Sequence, residues 1–295
     1  MSDIPKKRAD MNLDQHWSIV SSNELHDEAA DCYELFQVDK WQQGESESAE
    51  EKVALETPIA LVYNGISHVV MMATPHDLEE LALGFSLSEG IIDNADQFYG
   101  MDIEIKAEGI ELKIEISTQK FVQLKHWRRN QTGRTGCGLC GAESLQQAIR
   151  PVPPVVPVAP IDAAVLQQAI LSLSDKQLLQ QETGASHCAA WYDLAANMLM
   201  LREDVGRHNA LDKLIGALHQ KQTDLKQGFA VISSRASYEM VVKSCQAGIS
   251  CLVAVSAPTA LAINMARDAN LTLIGFARPG RFVSYSQPAL DNNAR

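Results

Sequence analysis

Two cysteines, Cys137 and Cys140, lie three positions apart in the stretch RTGCGLCGAES, residues 134–144. Four glycines stand at or between residues 133 and 141, and glycine gives a backbone wide conformational freedom. Two thiols with this spacing can bind a metal ion, cycle as a disulfide or hold a sulfur atom as a persulfide. The spacing alone does not choose among these three chemistries.

Zinc binding is a common use of a C-x-x-C pair, but a structural zinc site needs four ligands. The sequence has no second C-x-x-C pair. Zinc deaminases place H-x-E ahead of P-C-x-x-C, whereas here the one H-x-E is at residues 26–28 and no proline precedes Cys137. Cys188, Cys245 and Cys251 fall in predicted strands or on an apolar helix face, where free cysteine packs as a small hydrophobic residue. We therefore predict that the protein holds no zinc.

Positive charge surrounds the cysteine pair. Arg128, Arg129 and Arg134 precede Cys137, and a helix is predicted to begin just after Cys140. Cationic neighbours and a helix N-terminus favour the thiolate, which is the reactive form of cysteine. A glycine-rich loop holds a redox pair poorly in place, but it lets a thiol move between two partners. The residues favour a sulfur carrier, while redox and metal-binding roles stay open.

The composition limits the function classes further. The chain has 295 residues, is 46% hydrophobic and carries a formal net charge of −12. No apolar run approaches the roughly 18 residues that a membrane span needs, and the N-terminus lacks the apolar core of a signal peptide. The acidic balance argues against nucleic-acid binding. We expect a cytoplasmic protein with reduced cysteines, no membrane partner and no nucleic-acid partner.

Shifts in composition divide the chain into four parts. Residues 1–52 are read as an acidic, disordered extension, because the first fifty residues hold twelve acids against four lysines and arginines. Residues 53–150 form a smaller α+β subdomain that carries the cysteine pair. Residues 151–160, PVPPVVPVAP, contain five prolines and form an extended connector. Residues 161–295 form an α/β subdomain for a nucleotide or cofactor.

Turn and cap residues predict the elements of the N-terminal subdomain. Asn64-Gly65 and Glu108-Gly109 each lie between two apolar, alternating runs and predict two hairpins. A helix is predicted between them, with Thr74 as its N-cap, Pro75 at its first position and Gly90 as its end.

The C-terminal subdomain alternates strands and helices. FAVISS, CLVAVS and LTLIGF are short, nearly continuous apolar runs, which are typical of strands buried on both faces. Helical segments separate them, and the runs AAWYDL and NMLMLRE predict a strand pair ahead of them. The order β-α-β-α-β predicts a three-layer α/β fold, with a largely parallel sheet and helices on both faces.

Such a sheet binds ligands at the carboxyl ends of its parallel strands. Three loops are predicted there, at residues 233–237, 256–259 and 276–281, and a fourth segment at 203–209 precedes another helix. These segments contribute backbone amides and four arginines, Arg207, Arg235, Arg278 and Arg281. The arginines suit a phosphate or pyrophosphate, although ordinary capping of the loops explains the same residues equally well.

Several blocks in a fixed order resemble one known family, the formate dehydrogenase accessory proteins FdhD/NarQ. The similarity runs from about Glu56 to Tyr285 and includes ETPIALVYNG, MATPHDLEELALGF, CGLCG, TGASHCAA, EDVGRHNALDK, SSRASYE, SAPTALA and GFARPGR. The resemblance implies a sulfur carrier that takes sulfur from a cysteine desulfurase and passes it to the molybdenum cofactor, bis-molybdopterin guanine dinucleotide, for formate dehydrogenase. It also implies a fold like that of the cytidine deaminases, without the zinc.

The resemblance assigns roles to particular residues. Cys137 matches the position that carries the persulfide, and Cys140 matches its partner. The stretch that matches the cofactor-binding segment comprises Phe276, Ala277, Arg278, Pro279, Gly280 and Arg281. Guanosine diphosphate (GDP) is the expected analogue of the cofactor. The oligomeric state stays open, and a homodimer is one candidate. The alternative function is a guanine-nucleotide-binding regulatory protein with a structural or metal-binding C-x-x-C.

Overall fold

The computed structural model describes residues 32–129 and 152–288 of the chain, with backbone only for 127–129. The strands there are β1 Tyr33–Gln42, β2 Glu45–Ala54, β3 Thr57–Tyr63, β4 Ile66–Ala73, β5 Phe98–Lys106, β6 Gly109–Ile116, β7 His187–Asp193, β8 Met198–Asp204, β9 Gly228–Ile232, β10 Cys251–Ala254, β11 Thr272–Arg278 and β12 Arg281–Ser286. The helices are α1 Leu78–Ser88, α2 Thr118–Arg129, α3 Ala163–Leu173, α4 Leu178–Thr183, α5 Arg207–Gln220, α6 Tyr238–Gln246 and α7 Ala260–Asp268. None of these helices is long and apolar enough to cross a membrane.

A six-stranded sheet forms the larger part of this mixed α/β fold, in the order β12-β11-β10-β9-β7-β8. The α/β class is confirmed, but the prediction of a largely parallel sheet is wrong, because only β9–β10 and β10–β11 pair in parallel. The reason is that β7 lies antiparallel between β8 and β9, and a tight turn returns β12 antiparallel to β11. Strands β8, β9, β10 and β11 nevertheless all end at the same edge.

The two faces of this sheet bury different residues. In β9, Ala230 and Ile232 belong to one hydrophobic core, whereas Phe229 and Val231 belong to the other, as the alternation of side chains in a strand requires. Helices α5, α6 and α7 supply residues to the first core and α3 supplies them to the second. Helices therefore cover both faces, as predicted. The likeness to the cytidine deaminase fold stays a prediction.

A four-stranded sheet, in the order β4-β3-β6-β5, holds the first part of the chain. Both predicted hairpins are present, β3–β4 and β5–β6. Asn64 and Gly65 have φ angles of 45° and 80°, which is the left-handed pair that a two-residue hairpin turn needs. The inner face of this sheet shares one continuous core with α1, α5 and the six-stranded sheet.

Helix α1 begins at Leu78 rather than near Thr74, so the predicted N-cap is wrong. The Thr74 backbone N–H and its Oγ1 hydroxyl both donate to Asp204 Oδ2, at 3.0 and 2.9 Å. Because a residue 130 positions away engages this threonine, its side chain does not cap the helix. Asp77 occupies the N-cap position instead.

The segment Tyr33–Ala54 is a β-hairpin that we call the arm. The interpretation of residues 1–52 as a disordered extension is therefore wrong for residues 33–52, whereas residues 1–31 lie outside the described part. The acidic composition suggested disorder, although oppositely charged side chains of this segment form pairs. Lys40 pairs with Glu51 across the strands, and Lys52 pairs with Glu182 of α4. None of the residues of β1 and β2 belongs to either hydrophobic core.

Residues 152–160 of the proline-rich connector contain no helix or strand. The Val155 N–H donates to the carbonyl oxygen of Ala269 at 2.8 Å. Val155 belongs to one hydrophobic core and Val158 to the other. The connector thus passes from one face of the six-stranded sheet to the other, while the subdomain boundary drawn there stays a prediction.

Candidate functional site

A cleft of about 820 Å³ opens at the edge where β8, β9, β10 and β11 end, on the side of α3. Ser233 follows β9, Val255 follows β10, and Ala277 and Arg278 lie at the end of β11. The apolar wall comes from α3, including Ile170. This is the edge at which the strand order predicts a ligand.

The lining of the cleft contains no aspartate or glutamate among the residues that the structure describes. Arg278 and His187 are the lining side chains that can carry charge there, beside serine hydroxyls and glutamine amides. Both are cationic when protonated. In a chain with a net charge of −12, a large cleft without a carboxylate favours an anionic ligand.

The wall of the cleft next to His187 is held in place by the carboxylate of Glu203, which does not itself line the cleft. Glu203 accepts hydrogen bonds from the Leu179 and Gln180 backbone N–H groups at 2.8 and 2.9 Å, and from Ser186 Oγ at 2.8 Å. The Gln180 side-chain oxygen in turn accepts from the Ser186 N–H at 2.9 Å. These bonds fix the start of α4 and the approach to β7. The rim of the cleft next to His187 is therefore well ordered.

His187 is the first residue of β7 and is half-buried. Burial lowers the pKa of its imidazole, and the nearby charges of Arg207 and His208 lower it further. His208 Nε2 lies 3.0 Å from Glu239 Oε2, and this hydrogen bond lowers the pKa of the Glu239 carboxyl group. Arg207 Nε is buried and has no hydrogen-bond partner among the residues that the structure describes. Two basic side chains at the start of α5, Arg207 and His208, thus lie near His187.

The turn Pro279-Gly280 joins β11 to β12 in a hairpin. Gly280 has a φ angle of 80°, which side chains rarely tolerate. Its N–H donates to the side-chain oxygen Oε1 of Gln167 in α3 at 2.7 Å. The tip of the hairpin is thereby fastened to the helix that forms the apolar wall of the cleft.

Phe276 has a left-handed backbone with a φ of 50°, which is an outlier for a bulky residue. Its N–H donates to the Ser256 carbonyl oxygen at 3.0 Å, and the β11–β12 register shifts between Gly275 and Arg278. The guanidinium carbon of Arg281 lies 5.8 Å from the centroid of the Phe276 ring. Strained backbone of this kind occurs preferentially at functional sites. Here it separates Arg278, which lines the cleft, from Arg281, which does not.

The structure separates the four arginines that the sequence groups at this edge. Arg278 lines the cleft, Arg207 lies near His187 behind it, and Arg235 and Arg281 are exposed outside it. The sequence analysis missed His187, although TGASHCAA places it where a predicted strand begins. Gln167 gave no signal in the sequence, because only the fold brings it to Gly280.

The cysteine pair Cys137–Cys140 lies outside the described residues. The cysteines predicted to be structural are buried and free: Cys188 in β7, Cys245 in α6 and Cys251 in β10. Burial raises the pKa of each of these thiols to about 12, which leaves them unreactive. Within residues 32–129 and 152–288, no three His, Cys, Asp or Glu side chains form a group that could hold a metal ion.

The fold and the cleft define a mixed α/β protein with a cleft at one sheet edge whose described lining holds no carboxylate. The family model described as FdhD/NarQ family matches residues 54–290, and the chain belongs to that family. It is 49% identical over 274 residues to the sulfur carrier protein FdhD of Cupriavidus necator, covering 91% of this chain and 95% of that protein. It is 52% identical over 245 residues to the sulfur carrier protein FdhD of Xanthomonas oryzae pv. oryzae, covering 83% and 87%.

One solved structure has a similar fold. It is a protein from Desulfotalea psychrophila described as a formate dehydrogenase accessory protein, with a TM-score of 0.66 over 87% of this chain and 98% of that one. The sequence identity is 21%, so this similarity supports the fold alone.

Proposed function

We propose that the protein is a cytoplasmic sulfur carrier that serves formate dehydrogenase. Two findings support this function. The chain belongs to the FdhD/NarQ family, and relatives with about 50% sequence identity are named sulfur carriers. Its proposed partners are a cysteine desulfurase, which supplies the sulfur, and formate dehydrogenase. The proposed cargo is the molybdenum cofactor in its guanine dinucleotide form.

Cys137 is the proposed carrier thiol. In the loading step, its thiolate attacks the terminal sulfur of the desulfurase persulfide; a new S–S bond forms on Cys137 and the desulfurase cysteine leaves as a thiolate. In delivery, the Cys140 thiolate attacks the inner sulfur of Cys137, and the carried atom leaves as hydrosulfide. The two cysteines supply the two electrons of this reduction and become a disulfide, which a cellular thiol must reduce.

The hydrosulfide then replaces an oxygen ligand of the molybdenum. With one further proton, that oxygen leaves as water, so atoms and charges balance.

The proposed cofactor site is the cleft, with Arg278 as its main phosphate contact. The single observation that carries this assignment is the absence of any carboxylate among the described lining residues, in an otherwise acidic chain. A guanidinium grips two phosphate oxygens at once. Ala277 and Pro279 line the cleft beside Arg278. Phe276, Gly280 and Arg281 complete the proposed binding stretch, because they determine the path of its backbone.

The sulfur carrier is tested by incubating the purified protein with a cysteine desulfurase and cysteine, followed by mass spectrometry of the peptide that contains both thiols. Wild type gains the mass of one sulfur atom. Cys137→Ala gains none and fails to restore formate dehydrogenase activity in a strain that lacks the gene.

Cys140→Ala is the matched variant, because it removes a thiol from the same segment. It loads sulfur and retains it, since it lacks the thiol that releases the atom. If wild type binds GDP but never gains sulfur, the guanine-nucleotide regulator replaces the carrier. Full activity of Cys137→Ala would contradict the assignment of the carrier thiol.

A further inference from the structure

Besides Arg278, the cleft is lined by a second side chain that can carry positive charge, the imidazole of His187. We propose that His187 binds the pyrophosphate of the ligand and takes up a proton as it does so. This inference rests on the proposed nucleotide site. Binding of an anionic nucleotide then strengthens as the pH falls. None of the roles proposed above involves His187.

The position of His187 supports a binding role. It lines the cleft together with Ser186 and Ser233, and it is only half-buried, so that its ring is accessible to a ligand. The Ser233 hydroxyl accepts a hydrogen bond from the Cys188 N–H at 2.9 Å, and Ser186 Oγ is bound to Glu203. The residues before and after His187 in the chain are thus held by hydrogen bonds. An imidazole in a cleft whose described lining holds no carboxylate fits a phosphate oxygen.

Basic side chains lie near His187. Arg207 and His208 approach it from α5, and Arg278 lines the same cleft. On β8, its cross-strand neighbour Asp204 is neutralised by Lys213, whose Nζ lies 2.7 Å from Asp204 Oδ2.

The other carboxylates near the site are also engaged. Glu203 is occupied by the hydrogen bonds that hold the rim, and Glu239 pairs with His208. Burial, and then the charges of Arg207 and His208, lower the pKa of His187, so its neutral form prevails at neutral pH.

A bound pyrophosphate reverses this balance. An opposite charge within about 4–6 Å favours the protonated form and raises a histidine pKa by about 1–3 units. Since the pKa is higher in the complex than in the free protein, ligand binding takes up a proton between the two values. Affinity therefore rises as the pH falls through the pKa of the complex, and it levels off below the pKa of the free protein. One unit of difference corresponds to about tenfold in affinity.

The test is isothermal titration calorimetry of the full-length protein with GDP-mannose. Both phosphates of this nucleotide sugar are esterified, so it does not titrate near neutral pH, and any proton taken up from the buffer on binding is taken up by the protein. We expect wild type to bind about tenfold more tightly at about pH 6 than at about pH 8. Titrations in two buffers of different ionisation enthalpy count the protons directly, without any mutation.

Two variants identify the group. His187→Gln keeps hydrogen-bonding capacity but cannot be protonated, and we expect its affinity to change less than about twofold over the same range. His208→Gln removes the neighbouring imidazole and keeps the tenfold dependence. Binding that is independent of pH in wild type, or equally dependent in His187→Gln, overturns the inference and leaves the nucleotide site intact. Failure of wild type to bind GDP-mannose at any pH overturns the nucleotide site, and the role of His187 with it.

Discussion

At the scale of single residues, Arg278 lines the cleft, whereas Arg281, on the other side of the Pro279-Gly280 turn, does not. Cys188, Cys245 and Cys251 were predicted to be structural, and their burial confirms it. Arg278 and Arg281 looked equivalent, because both flank the Pro279-Gly280 turn. The register shift after Gly275 and the left-handed backbone at Phe276 make them different. No local pattern predicts such a bulge, because the hydrogen bond from the Phe276 N–H to the Ser256 carbonyl oxygen of a neighbouring loop holds it.

This difference predicts unequal effects on GDP binding. Arg278→Gln should weaken affinity by about ten- to a hundredfold, since a charge-assisted hydrogen bond contributes about 1.5–3 kcal/mol. Arg281→Gln is the matched control, because it removes the same charge on the same hairpin, but from a side chain that stacks on Phe276 outside the cleft. Calorimetry with GDP measures both. A larger loss in Arg281→Gln would place the phosphate on the other side of the hairpin.

At the scale of elements, local signals predicted strands, hairpins and most helices, and long-range contacts caused the errors. The hairpin around Asn64-Gly65 needed only its turn residues. The start of α1 was misplaced because Asp204 binds Thr74. The arm was missed because its acidic composition hid pairs such as Lys40–Glu51. The strand order could not be read from the sequence, since nothing local shows that β7 inserts between β8 and β9.

One feature between elements is the close approach of α1 to α5 through glycines. A Cβ atom at Gly216 would lie 2.0 Å from the carbonyl oxygen of Glu80, and one at Gly84 would lie 1.7 Å from that of Asp212. Both obstacles are backbone atoms, which cannot rotate away. The two helices therefore pack backbone against backbone, and any side chain at these positions forces them apart.

We predict that Gly216→Ala lowers the free energy of unfolding by about 2–4 kcal/mol, within the range for overpacked cores. Helix propensity alone predicts the opposite sign, a gain of about 0.5–1 kcal/mol. Urea denaturation therefore distinguishes packing from propensity by the sign of the change. Gln220→Ala, at the exposed end of the same helix, is the control and should change stability by less than about 0.5 kcal/mol. A stabilised Gly216→Ala protein would show that the helices can separate without loss.

At the scale of the whole molecule, α5 joins the two sheets into one unit. Its Lys213 pairs with Asp204 at 2.7 Å, and its Asp212 pairs with Lys243 at 2.9 Å, with all four residues buried. Lys213 Nζ also donates to Thr74 Oγ1 at 2.7 Å. The sequence suggested two subdomains on either side of the proline-rich connector. It could not show that adjacent residues of one helix would hold buried partners from both sides.

We predict that the described core unfolds in a single cooperative transition, despite the connector. The hydrophobic core runs without interruption from β3 through α1 and α5 to β9, so unfolding either sheet alone would expose the apolar face of the other to water. Native-state hydrogen exchange in urea measures this: amides of the central strands β3 and β9 should exchange with the same opening free energy and the same urea dependence. Amides of the arm serve as the internal control and should exchange by a smaller opening, because β1 and β2 contribute nothing to either core. A lower urea dependence for β3 than for β9 would mean that the four-stranded sheet opens by itself and that the shared core does not couple the two sheets.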